Sequence, residues 1–156
     1  MKKKKKYTYQ QDFSKGVLAI NTNQERYKLD DVAHIQMAAL DSTGHTLCKA
    51  PLELTVVMPD GSVSLPVVQT SGQCDGDNVV DVPDYASYLP LEQLGDYTLI
   101  LENKETKYKI QRTIGVREHT NAIVTREGPT RIYPPAPYTM RISVTLDQNY
   151  EGFIRE

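Results

Sequence analysis

The densest set of side chains that could do chemistry is acidic: Asp75, Asp77, Asn78, Asp81 and Asp84 share one short loop. Hard oxygen donors at this density suit Ca²⁺, whose coordination is flexible enough for an irregular loop. The spacing is not that of an EF-hand. Val79 takes the fifth position counted from Asp75, and no Glu closes the loop at the twelfth. The same residues also read as a solvated loop in which Asp and Asn cap turns. Both readings stand open, with Asp75, Asp77, Asp81 and Asp84 as the metal ligands of the first; no other cofactor is implied.

The remaining reactive types do not converge. His34, His45 and His119 are the only histidines, and nothing pairs them at metal-ligand spacing. His34 falls on the outward phase of a strand, His45 in a turn, His119 after the last strand of the main pattern. No Gly-x-Ser-x-Gly elbow and no phosphate-cradling glycine motif occurs. Cys48 and Cys74 lack the C-x-x-C spacing of a zinc site. A disulfide between them fits an exported protein, but sequence does not show whether their Cα atoms come within bridging range. Tyr85 and Tyr88, read as exposed, could offer a sugar-stacking platform; packing in the core or at an edge is the competing role. No catalytic residue is assigned, and a β-sandwich enzyme built on scattered Asp and Glu is the least supported reading.

The 156-residue chain has room for one full domain and a small second unit. Of its 18 Lys and Arg, five form the run Lys2–Lys6; without them 13 basic residues face 20 acidic ones, a balance of −7. The body is acidic, which argues against a nucleic-acid partner. The lysine run reads as a native tail, a tag or the start of an export signal. No apolar region of the kind a signal peptide needs follows it, so a signal or anchor would lie outside this sequence.

The elements that must position these residues are strands. Ala33, Ile35, Met37 and Ala39 alternate with His34, Gln36 and Ala38, and Leu52, Leu54, Val56 and Met58 alternate with Glu53, Thr55 and Val57. Period two marks strands with one face on a core. Val17–Ile20 precedes them, and Pro59-Asp60-Gly61 reverses the chain, with Gly61 as its structural glycine. Pro66 marks an edge or break within Ser62–Thr70, and Val79–Pro90 is a weaker strand. Gly95-Asp96-Tyr97 opens the strand to Leu101, and Tyr108–Val116 returns. The Gly95-x-Tyr97 pair matches a tyrosine corner, in which a buried hydroxyl reaches back to upstream backbone. About seven short strands without a helix predict an all-β chain, an immunoglobulin-like antiparallel β-sandwich; a closed barrel is the alternative topology. The boundaries read as a basic tail over 1–15, the sandwich over 16–117, a Pro-rich linker over 118–137, and a C-terminal β-hairpin or truncated second β-domain over 138–156. In the last, Tyr138, Met140, Ile142, Val144 and Leu146 alternate with polar residues. Two strands cannot bury that face alone, so docking on the first domain, a neighbouring β-domain or a second copy would cover it.

Tyr27, Val32–Leu40, Asp41, Gly44, Pro59 and Gly61, with Gly95 and Tyr97 later, give the region 17–117 a pattern that resembles macroglobulin-type and bacterial immunoglobulin-like domains. It departs from them at Leu29-Asp30, where Pro-Gly is expected, and it lacks a thioester Cys-x-x-Gln. The resemblance implies a non-catalytic structural or adhesive module of a larger exported bacterial protein, extracellular or at the cell surface. The alternative is an accessory domain of a secreted enzyme that binds glycan or protein.

Overall fold

In the computed structural model, residues 17–74, 79–80, 82–119, 122–128, 131–132 and 137–146 are described. Nine strands form two sheets. The first holds β1 (Leu18–Thr22), β3 (Val32–Ala39), β8 (Tyr85–Pro90) and β6 (Gln69–Thr70), in the order β1-β3-β8-β6. The second holds β2 (Arg26–Lys28), β10 (Lys109–Arg117), β9 (Gly95–Asn103), β4 (Leu52–Val57) and β5 (Val63–Ser64), in the order β2-β10-β9-β4-β5. All pairs are antiparallel except β2 with β10. This strand order is the ABED sheet facing the CFG sheet of an immunoglobulin-like sandwich, with the first strand divided between the sheets.

Alternation along the strands explains the layering. Ala33, Ile35, Met37 and Ala39 on β3 and Tyr85, Ser87 and Leu89 on β8 point inward. They meet Leu54 and Val56 on β4, Tyr97, Leu99 and Leu101 on β9, and Ile114 and Val116 on β10. Burying each large apolar side chain contributes about 1.5–3 kcal/mol relative to exposure. The reversed strand after Gly61 divides. β5 stays on the second sheet, whereas β6 joins the first, and Pro66 lies in the crossing where no ladder bond is required.

Three buried tyrosines fasten the loops. The Tyr27 hydroxyl donates to Asn23 Oδ1 at 2.8 Å and accepts from Gln24 N, holding the crossover from β1 to β2. The Tyr85 hydroxyl donates to the Leu47 carbonyl and accepts from Ala50 N at 2.7 Å, holding the loop between β3 and β4. The Tyr97 hydroxyl accepts from Gln93 N at 2.9 Å, the geometry of a tyrosine corner. Burial pushes the Tyr27 and Tyr85 hydroxyls above the usual phenol range. At the departure from the family pattern, Asp30 takes φ of 67°, a left-handed conformation that Asp tolerates better than most residues. The turn closes with Asp31 Oδ2 accepting from Lys28 N at 2.8 Å.

Within 118–137, the span expected to be a Pro-rich linker, two described stretches are strand. Ala122–Glu127 forms β11, which pairs antiparallel with β13 (Arg141–Leu146), since Ile123-Val124-Thr125 favours strand and the prolines begin only at Pro129. Val79–Val80 (β7) pairs through its backbone with Arg131–Ile132 (β12). On the β11–β13 ribbon, Ala122, Val124, Ile142, Val144 and Leu146 share one face. The last four keep 37–46% of their surface exposed.

Candidate functional site

Of the acidic loop, Asp75, Asp77, Asn78 and Asp81 lie outside the described residues. Asp84 is 5% exposed and lines a small cavity with Ala19, Gln36, Ala38, Arg126 and Met140, between the first sheet and the ribbon. Among the described residues no group of three or more His, Cys, Asp or Glu side chains could hold a metal ion. His34 sits on the outer face of the first sheet, its ring stacked on Tyr88 at 4.8 Å and 4° between planes. His45 and His119 are exposed and apart from it.

The two tyrosines read as an exposed platform separate. Tyr88 is 57% exposed, but Tyr85 is a core residue at 2%. Three positions apart on one strand, they must point to opposite faces.

Cys48 and Cys74 are joined in a disulfide with Cα atoms 5.4 Å apart. The bond ties the loop after β3 to the chain after β6. The start of that loop is an Asx turn: Asp41 Oδ1 accepts from the Thr43 hydroxyl at 2.6 Å, His45 N at 2.9 Å and Thr43 N at 2.8 Å. Those bonds, the Thr43 hydroxyl foremost, hold the Asp41 carboxyl at a pKa of about 2. Asn103 does the equivalent for the turn after β9, accepting from Glu105 N and Thr106 N. Between these braced loops lies an open cleft of about 490 Å³ lined by Val17, Leu40, Leu47 and Tyr108, with Asp41 and Glu105 among its polar walls.

Gly95 and Gly61 serve the backbone. Gly95 has φ of 132°, and a Cβ there would stand 2.6 Å from Pro59 Cβ and 2.9 Å from its Cγ. Gly61 has φ of 84° with open space around it.

The feature sequence reading missed is an arginine groove. The parallel pairing of β2 with β10 brings Arg26 opposite Gly115. Two adjoining clefts, of about 380 and 500 Å³, share Glu25, Arg26 and Arg112; the first adds Asp96 and Arg117, the second Asn21–Gln24 and Arg126. Arg117 lies over Gly115, where the absent side chain leaves room, its guanidinium 3.2–3.3 Å from the place of a Cβ. It donates to Val116 O at 3.0 Å and to Asp96 Oδ1 at 2.6 Å. Arg112 donates to Glu25 Oε1 at 3.3 Å. Its Nε is buried without a protein partner among the described residues, as is Gln24 Oε1. Arg26 is exposed and makes no ion pair among the described residues. A guanidinium presents a planar fork that matches a carboxylate bidentately. Chemically, the groove is suited to holding oxyanions.

Comparison with protein-family models finds no match, and neither does comparison with curated proteins. Among solved structures, the chain is similar to the Lin-41 filamin domain, with a TM-score of 0.46 and 18% identity over 65% of this chain and 93% of that one. The strand order and the tyrosine corner at Tyr97 are those of an immunoglobulin-like sandwich.

Proposed function

We propose that this chain is a non-catalytic immunoglobulin-like module, structural or adhesive, of a larger exported bacterial protein. The observation that carries the reading is the disulfide between Cys48 and Cys74, which joins two loops of a sandwich that already has a full apolar core. Such a bond persists in oxidising surroundings and is rare in a reducing cytosol. The continuation of the sandwich into a β11–β13 ribbon with an apolar face supports neighbouring β-domains, or a second copy, as its packing partners. The bacterial and macroglobulin-type assignment draws on the turn pattern from Tyr27 to Gly61, in which Asp30 stands in for the expected glycine.

The test is surface labelling of intact source cells with a membrane-impermeant amine reagent, followed by recovery of the chain. Labelling to the extent of a known surface protein is the expected result; protection until lysis would sink the exported reading. Turnover in a hydrolase substrate screen would overturn the non-catalytic one. A second reading, an accessory binding domain for glycan or protein, is favoured by one observation: two adjoining clefts gather Arg26, Arg112 and Arg117 of the sandwich with Arg126 of β11.

A further inference from the structure

We propose that this groove binds an acidic oligosaccharide, its guanidinium groups taking the sugar carboxylates; the inference rests on reading the chain as a non-catalytic binding module. The chain contains seven arginines, and four of them line these two adjoining clefts of an otherwise acidic body. Scattered solvation does not call for such clustering, and among the described residues Glu25 and Asp96 are the only acids lining either cleft.

Those two carboxylates act as internal stand-ins. Glu25 sits on Arg112 with its side chain 83% exposed, and Asp96 on Arg117 at 61%. Exposed pairs of this kind are weak. A ligand carboxylate can therefore replace either without a large loss, and at Arg117 it meets a guanidinium already held in place. Arg117 is fixed by the Val116 carbonyl and by the space over Gly115. Arg112 lies beside the crossover between β1 and β2, its side chain 30% exposed and its terminal nitrogen turned to Glu25. Arg26, opposite Gly115, is exposed and makes no ion pair among the described residues.

The wall chemistry chooses among anions. Asn21 places an exposed amide, with its acceptor oxygen, on the wall of the second cleft. An acidic sugar supplies both halves of this set: carboxylates for the arginines and hydroxyl donors for the amide oxygen. Ionised linear polyphosphate offers acceptors alone along its chain. Clefts of this size lie in the range that holds small ligands.

The experiment is calorimetric titration of the whole chain with a galacturonate hexamer, the neutral galactose hexamer and linear polyphosphate, at about 50 mM salt. Galacturonate is expected to bind, with the neutral hexamer at least about tenfold weaker. Arg26→Gln, at an exposed position, should leave the melting temperature unchanged and weaken galacturonate by about tenfold. Gly115→Ala, which lifts the Arg117 guanidinium, should weaken it by several-fold. No galacturonate binding, or equal binding by Arg26→Gln, overturns the groove and leaves the module reading intact. Polyphosphate binding more tightly than galacturonate overturns the sugar assignment. Galacturonate shortened during incubation would instead overturn the non-catalytic reading while the groove stands.

Discussion

Removing the bond between Cys48 and Cys74 gives the sharpest quantitative test of how the fold is held. The two residues are 26 apart in sequence. In the chain-entropy account, closing a loop of that length removes about 12 cal/mol/K from the unfolded ensemble, or about 3.5 kcal/mol at room temperature. For a sandwich of this size that is a fall in Tm of roughly 15–25 °C. The reduced domain should still fold, because the Tyr85 hydroxyl holds the same loop at Leu47 and Ala50. This shared duty makes the two anchors non-additive. Tyr85→Phe should cost more in Cys48→Ala/Cys74→Ala than in the oxidised protein, by about 0.5–3 kcal/mol of coupling. The assay is urea unfolding of the oxidised, reduced and double-alanine proteins, alone and with Tyr85→Phe. Matching values for reduction and substitution would tie the loss to the bridge itself. Unfolding free energies that agree within about 0.5 kcal/mol for all three proteins would refute the reasoning. So would two titratable thiols in protein made in an oxidising compartment.

Other positions make independent predictions. Gly95→Ala should cost about 3–5 kcal/mol, combining backbone strain at positive φ with overlap on Pro59, whereas Gly61→Ala should show strain alone, about 1–2 kcal/mol; similar urea midpoints for the two would remove Pro59 from the account. Tyr97→Phe, which leaves Gln93 N without its acceptor, should cost about 1–3 kcal/mol by the same measurement, and no loss would deny the corner a structural role. Ser87 Oγ is buried without a hydrogen-bond partner among the described residues, so Ser87→Ala should be neutral or stabilising by about 1 kcal/mol; a clear loss would reveal a bond to that hydroxyl. Burial lowers the His34 pKa from 6.5, so the folded state prefers the neutral ring. Its contribution is complete above pH about 6.5 and is lost as pH falls through the lower folded-state value; Tm measured across that window should fall less in His34→Phe, which keeps the stack on Tyr88.

What could be read from the chain depends on whether a residue's role is set by its neighbours in sequence or by distant strands. The alternation over Ala33–Ala39 and Leu52–Val57, and the Gly95-x-Tyr97 pair, declare themselves locally because strand period and turn conformation are local properties. The three-residue β2 does not. Its place is decided by pairing with β10 and by the bond from Gly115 N to the Glu25 carbonyl, so no periodicity in Arg26–Lys28 announces a strand. The arginine groove inherits that invisibility. Arg26 lies far from Arg112 in sequence, and only the parallel edge pairing of β2 with β10 brings both to the same clefts. One signal was nonetheless available. Strand parity alone places Tyr85 and Tyr88 on opposite faces, and the Tyr85-x-Ser87-x-Leu89 phase assigns Tyr85 to the core. The same division runs through the whole molecule: residues that make the sandwich follow short-range rules, whereas those that give one of its faces a chemical character meet only after the sandwich has formed.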